Sequence, residues 1–333
     1  MKLAFFDSHG FDRKAFQKSN TAYHHEITFF EPRLKLETAH MAQGFEAVCA
    51  FVNDRVDRET IQNLKNLGVR IIALRSAGFN QVDIKAAQEY KIPVVRVPEY
   101  SPYAVAEHAV ALILAMNRHI HRAYNRVREM NFSLDGLVGF DLHGKTVGVI
   151  GTGRIGQAFV RIMHGFGCQL LAYDPVPNAV LRDQYEVDYV SLQELFANSD
   201  IISLHVPLLP ETKHLIDEKA LLAMKPTVML VNTSRGALVK TSALTQALKN
   251  GRIGFAALDV YEEEEGIFFH DMSESGVQDD VLARLITFPN VLITSHQAFL
   301  THEALANIAD TTLGSLRAFE QGGRLDHEVI WKG

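Results

Sequence analysis

The sequence has only two cysteines, one tryptophan, no Lys/Arg cluster and no long apolar run. Cys49 and Cys168 lie far apart among apolar neighbours, which argues against a disulfide framework and fits a reducing cytoplasm. The most apolar stretch, 104–116, is too short for a bilayer and carries Glu107 and His108. The opening run gives way to Asp7 after a few residues, so it reads as a strand and not as a signal peptide. A formal charge of −6 without a basic cluster leaves no face for nucleic acid. What is present, 47% hydrophobic residues in a chain of 333, suffices for two sizeable cores.

Short apolar runs alternate with helical spacing from end to end, the pattern of βα units on parallel sheets. Strands are expected at 3–6, 47–51, 70–74 and 94–97, with helices at 58–67 and 82–90. Pro98 and Pro102 then flank an extended segment. Ser101 offers an N-cap and Pro102 a first helical residue, and one long helix is expected over 104–129. A second series of strands follows at 146–150, 170–173, 201–205, 228–232, 254–258 and 291–294. The acidic stretch 262–285 reads as a mobile surface excursion, and a final helix is expected over 301–321. The fold class is α/β, with two doubly wound parallel-sheet domains, Rossmann-like and flavodoxin-like. Residues 1–100 plus 299–333 are expected to form one discontinuous domain, with 101–298 inserted as the other and the active site in the cleft between them. Hinges are expected near Glu99, Tyr100 and Phe299.

The inserted block opens with Val147-Gly148-Val149-Ile150-Gly151-Thr152-Gly153-Arg154-Ile155-Gly156. A glycine pattern alone is weak, but this one follows an apolar strand and precedes an apolar helix. Gly151 permits the turn, Gly153 lets backbone approach a pyrophosphate, and Gly156 lets helix and strand pack. The helix N-terminus offers free N–H groups to the phosphates. Asp174, at the end of the next strand, suits the adenosine ribose hydroxyls and repels a 2′-phosphate, so NAD is the expected cofactor.

Three later strands each end in polar or charged residues: Asn232-Thr233-Ser234-Arg235-Gly236, Asp259-Val260-Tyr261-Glu262-Glu263-Glu264, and Thr294-Ser295-His296-Gln297. In open parallel sheets such ends converge on ligand. Together with the glycine turn, Asp174 and the run Ser203-Leu204-His205-Val206-Pro207-Leu208 with Glu211-Thr212, the chain resembles the D-isomer-specific 2-hydroxyacid dehydrogenases over nearly its whole length. Asp271, Gln278-Asp279-Asp280 and the residues from Ser295 to Phe299 are most similar to the fermentative D-lactate dehydrogenases of that family.

The resemblance implies reduction of a 2-keto acid, pyruvate to D-lactate, with hydride from a nicotinamide. His296 would give the proton, Arg235 would bind the substrate carboxylate, and Glu264 would hydrogen-bond His296 and favour the imidazolium. The other three glutamates of the run 262–265 read as a solvated acidic loop. By the same resemblance, Arg154, Ile155, Val206, Pro207, Thr212, Thr233, Ser234, Arg235 and Asp259 contact the cofactor. Ala77 and Gly78 would offer backbone N–H groups to the substrate, and Tyr100 and Phe299 would wall its pocket. A homodimer or homotetramer is implied, built on the long helix after Ser101. No metal site is expected: His119 and His121 would face different ways on a helix, and His24 and His25 would face solvent. Two alternatives stay open, the same chemistry on a bulkier 2-keto acid and a non-catalytic NAD-sensing binding protein or co-repressor.

Overall fold

The computed structural model describes residues 1–331. The chain divides into two compact units, Met1–Ser101 with the C-terminal stretch from Phe299, and Pro102–Ala298.

The first unit begins with β1 (Lys2–Phe5), α1 (Gly10–Ser19), β2 (Glu26–Phe29), β3 (Ala47–Ala50), α2 (Arg58–Asn66), β4 (Ile71–Leu74), α3 (Ile84–Glu89) and β5 (Val94–Val95). The strands form a parallel sheet in the order β2-β1-β3-β4-β5. Every residue of β3 and β4 is buried, which explains their unbroken apolar sequences. Asp57 and Asp83 start α2 and α3 by accepting the N–H of Thr60 and of Ala86. The other edge strand, β2, is half exposed and has no apolar run to announce it. At the far edge, the tail covers β5: Arg96 N donates to His327 O and Val329 N to Val94 O. His25 does not face solvent as its position beside His24 suggested. It is buried, its backbone bonded to the Asn20 side chain and its Nε2 set 3.2 Å from Leu313 O.

The second unit contains α4 (Pro102–Asn117), α5 (Ile120–Arg128), β6 (Thr146–Ile150), α6 (Arg154–Gly165), β7 (Gln169–Tyr173), α7 (Ala179–Tyr185), β8 (Asp188–Tyr189), α8 (Leu192–Asn198), β9 (Ile201–Leu204), α9 (Glu218–Ala223), β10 (Met229–Asn232), α10 (Thr241–Lys249), β11 (Phe255–Leu258), α11 (Asp280–Ile286) and β12 (Val291–Ile293). Its strands run parallel in the order β12-β11-β10-β9-β6-β7-β8. One face is covered by α4 and α6, where Ala106, Ala109 and Ile113 meet Phe159, Met163, Val147 and Val149. A second cluster, built on Leu204, Leu230, Leu244 and Leu285, covers the other. The chain then returns to the first unit as α12 (His302–Glu320), capped by Thr301 and packed on α1. Among the described residues, no helix is long and apolar enough to cross a membrane.

Two expectations need correction here. The single helix over 104–129 is broken between α4 and α5, where His119 is left-handed at φ 51° and caps α5. The cause is Asn117, whose amide bonds Phe140 through both N–H and C=O and draws that segment against the helix end. A Cβ on Gly139 would lie 2.4 Å from Asn117 O, so the approach is tight. His119 therefore precedes the helix that carries His121, and the two do not share one. The stretch 262–285 is also more structured than expected: Phe268 is buried, Tyr261 donates to Asp279, and Asp279 caps α11.

Buried charge ties together the strand ends of the first unit. The fully buried Arg75 guanidinium lies between the rings of Phe5 and Phe51, at 4.4 and 4.3 Å. It donates to Asp7 O and sits 3.4 Å from Asp12 Oδ1. Nearby, Asp54 accepts the N–H groups of Leu34 and Phe51. Burial pushes its pKa up to about 7, against the pull of Arg75 and those donors. Removing one partner from such a network leaves uncompensated buried charge. Arg75→Met should therefore cost about 3–5 kcal/mol, read from the urea midpoint, and a loss below about 1 kcal/mol would show that the cation is dispensable.

Candidate active site

Register brings the second unit's strand ends to one level. Asn232 stands beside Leu258, and Leu258 beside Ile293, so the loops carrying Arg235, Asp259 and His296 leave the sheet together. On the other side of β9, Ile150 stands beside both Leu204 and Tyr173. The sheet order changes direction at β6, which is where open α/β sheets bind ligands.

The glycine turn occupies that point. Gly151 is left-handed at φ 95°, and a Cβ on Gly156 would lie 2.0 Å from Gly151 O. The turn thus folds against its own helix. Gly153 caps α6, and nothing lies within 4 Å of where its Cβ would be, so the approach stays open. Arg154 and Ile155 begin the helix, whose N-terminal N–H groups suit phosphate. Asp174 binds the turn as well: its Oδ2 accepts Thr152 N at 2.7 Å and Thr152 Oγ1 at 3.0 Å. Tyr189, which the sequence did not single out, donates to the same Thr152 hydroxyl at 3.1 Å.

The segments after β9 and β10 are joined by Ser234 Oγ, which donates to Val206 O at 2.7 Å. Thr212 closes the turn beyond Pro207 through Pro207 O and Leu209 N. Thr233 is buried with a hydroxyl that has no partner among the described residues. An orphaned buried hydroxyl at the same end of the sheet as an open glycine turn fits a dinucleotide, so these residues could hold NAD.

His296 and Glu264 are paired at the strand ends. His296 Nδ1 lies 2.8 Å from Glu264 Oε1, and Glu264 Oε2 accepts Tyr261 N at 3.1 Å. Both side chains are only about one-sixth exposed, at 14% and 16%. The carboxylate accepts the Nδ1 proton and so directs Nε2 to any reacting group. His296 is itself left-handed, at φ 50°, an uncommon conformation for a side chain of this size. Its N–H donates to Asp259 O, while Gln297 N and Ala298 N donate to the Asp259 carboxylate at 2.9 Å each. Asp259 is 0% exposed. Asp259 thus shapes the His296 loop.

Arg235 is half-buried, and its guanidinium donates to Ser234 O at 2.7 Å. Asn232 Nδ2 holds the Arg235 carbonyl. Of the glutamate run, Glu262 is not a solvated loop residue: it accepts His214 Nε2 and the N–H of Thr241 at the start of α10. Burial alone would raise its pKa, yet those donors hold it below the usual range.

In the first unit, Ser76 Oγ donates to Gly78 O and Arg96 to Ala77 O. The N–H groups of Ala77 and Gly78 meet no acceptor among the described residues. Tyr100 and Phe299 belong to an aromatic cluster with Phe11 and Phe51, each ring 6.0–6.3 Å from that of Phe299. Phe11 and Phe51 escaped the sequence reading because no local pattern marks them.

A glycine turn at the switch of a parallel sheet and an imidazole–carboxylate pair at neighbouring strand ends define a dinucleotide-dependent oxidoreductase. The family model for the D-isomer specific 2-hydroxyacid dehydrogenase NAD binding domain matches residues 110–298, and the chain belongs to that family. D-lactate dehydrogenase of Escherichia coli K12 is 52% identical over 99% of this chain and 100% of its own. The apo-structure of the E. coli enzyme superposes with TM-score 0.91 at 50% identity, covering 99% of this chain and 100% of that one. A structure described as the pyruvate reductase of Chlamydomonas reinhardtii gives TM-score 0.92 at 44% identity, covering 98% of each chain.

Gly236 joins the segments of Arg235 and Glu264. A Cβ there would lie 1.9 Å from Tyr261 O and 2.5 Å from Glu262 N, so the turn after Arg235 rests on the backbone that leads to Glu264. Gly236→Ala should lower stability by about 1–3 kcal/mol and slow turnover about tenfold or more. Thermal unfolding and initial rates check both, and a stable, fully active variant would refute the contact's importance.

Proposed function

We propose that this chain is an NAD-dependent D-lactate dehydrogenase that interconverts pyruvate and D-lactate. The carrying observation is the 2.8 Å pair of His296 Nδ1 and Glu264, which leaves Nε2 as the proton donor in reduction and acceptor in oxidation. Bound nicotinamide supplies the hydride to the carbonyl carbon. In the second unit, Arg235 binds the substrate carboxylate, and its cation polarises the adjacent carbonyl. The cofactor residues are Gly151, Gly153, Arg154, Ile155, Gly156, Asp174, Val206, Pro207, Thr212, Thr233, Ser234, Arg235 and Asp259. In the first unit, the N–H groups of Ala77 and Gly78 suit a carboxylate, and Tyr100 and Phe299 wall a small pocket.

The names carried by the E. coli and Chlamydomonas relatives support pyruvate as the keto acid. Crowding of Phe11, Phe51 and Tyr100 around Phe299 favours a small substrate over a bulky one. An assembled acid–base pair disfavours a purely NAD-sensing role. Two buried, unpaired cysteines fit a reducing cytoplasm.

NADH oxidation should be fastest with pyruvate, slower with 2-ketobutyrate and slowest with phenylpyruvate, and NAD reduction should require D-lactate and fail with L-lactate. His296→Gln should lower kcat by roughly 10²–10⁴-fold with NADH binding retained. Near-normal turnover in that variant would remove His296 from the acid role.

The same reading includes a homodimer. No side chain of α5 is buried, and Ile120, Tyr124, Val127, Met130, Phe132, Leu134 and Val138 are each more than half exposed. Contiguous apolar surface of this kind marks an interface. Phe132→Glu combined with Val138→Asp should shift sedimentation from dimer towards monomer, and unchanged sedimentation would place the interface elsewhere.

A further inference from the structure

One histidine outside the residues assigned so far is tied to the loop of His296. His108 sits in the second turn of α4. Its Nε2 lies 3.2 Å from Thr294 Oγ1 and 3.3 Å from Asp259 Oδ1. Thr294 Oγ1 in turn donates to the same Oδ1. A carboxylate only accepts, so the threonine proton goes to Asp259 and the threonine oxygen is left to accept. Nε2 must therefore carry a proton, shared between the hydroxyl and the carboxylate. The three groups close a triangle, with His108 18% exposed and Asp259 wholly buried.

We propose that His108 is a positioning residue for the reaction: by donating to Thr294 and Asp259 from α4, it holds the 294–298 segment in the turn that presents His296 to Glu264. The inference rests on His296 being the proton donor. Its force comes from what Asp259 has to do. That carboxylate accepts the N–H groups of Gln297 and Ala298, next in the chain after the left-handed His296, and it holds them most strongly while ionised. Burial is the largest influence on Asp259 and favours protonation. The hydrogen bond from His108 leads the opposing influences, followed by those of Thr294 and Ala298 N, and the net result is a lowered pKa. The groups facing Asp259 are thus His108 from α4, the Thr294 hydroxyl and the peptide N–H groups of 297 and 298; the His296 ring faces Glu264 instead. An ordinary packing residue on α4 would fill the same space but would not keep this carboxylate charged.

The sign of the pH effect follows. Without the His108 donor the pKa of Asp259 rises, so protonation as pH falls releases the segment at a pH where the native enzyme still holds it. In His108→Leu, the acid limb of kcat for pyruvate reduction should move to higher pH than in the native enzyme. The deficit should widen as pH falls, to roughly tenfold or more at the acid end of the profile, and shrink as pH rises, with the KM for NADH within about twofold of native. His108→Gln, which restores an N–H donor of similar reach, should recover most of the rate and return the limb towards its native position. Thr294→Val removes the other donor to Oδ1 and should shift the limb independently, should His108→Leu fold poorly. Hydrogen exchange at the amides of Gln297 and Ala298 provides a readout free of catalysis: their protection should fall at acid pH in His108→Leu and stay in His108→Gln.

A deficit of equal size at every pH, without rescue by glutamine, would make His108 a packing residue and overturn the proposal. Native kcat and native amide protection in His108→Leu would do the same. Failure of the native protein to reduce pyruvate, or full activity in His296→Gln, would overturn the dehydrogenase reading instead. The exchange data would then still report whether His108 holds the segment.

Discussion

The loop that carries His296 depends on one buried carboxylate. Asp259 follows β11, and its backbone ties to the neighbouring strand ends on both sides: its N–H donates to Asn232 O, and its C=O accepts His296 N. Its side chain binds Thr294, Gln297 and Ala298, so the loop with His296 is fixed at four points to a single residue. A left-handed histidine is a conformation the chain would leave if released. Burial opposes the charge that holds it, and donors gathered from the loop and from α4 overcome that opposition. The folded pKa lies below the unfolded one. The contribution of Asp259 is therefore complete above the ordinary carboxylate range and is lost as pH falls through the lowered value.

That arrangement is possible because of where a parallel strand tolerates polarity. All four residues of β9 and of β10 are buried, so both faces of these strands have to be small or apolar until the sheet ends. Polar side chains collect just past the last rung. With β10, β11 and β12 in register, Arg235, Asp259 and His296 emerge at the same end, though separated by tens of residues in sequence. The glycine turn after β6 leaves from that end too, because every strand in the sheet points the same way. The glycine turn and the His296–Glu264 pair are brought to one end of the sheet by strand direction, before any side-chain contact is made.

This also explains what the sequence could and could not convey. Fully buried strands leave continuous apolar runs, so β3, β4, β6, β9 and β10 were legible within a residue or two. The edge strands β2 and β8 were not, since half-exposed residues carry no such run. His296 and Glu264 were legible through motif spacing and stand paired. The break at His119 was hidden because its cause lies at Phe140, joined to Asn117 only once the chain has turned back. Glu262 was misjudged for a similar reason: composition gives four equivalent glutamates, and only the approach of His214 and of the α10 N-terminus separates it from Glu263 and Glu265. His108 was read only as a polar interruption of an apolar helix, because a sequence gives no hint of the carboxylate at the end of β11 that it faces.

Two arginines show how environment divides one residue type between structure and chemistry. Arg75 and Arg235 each stand just past a buried parallel strand, and each is followed by small residues. Arg75 is enclosed by two aromatic rings, a carbonyl and the carboxylate of Asp12. Its charge is neutralised within the chain, and the surrounding acids hold its pKa above the normal value against the effect of burial. Arg235 is half-buried, its guanidinium meets the carbonyl of Ser234, and no carboxylate forms an ion pair with it among the described residues. A guanidinium does not shed its proton to escape such a position. Its charge is thus left for solvent or a bound anion to balance.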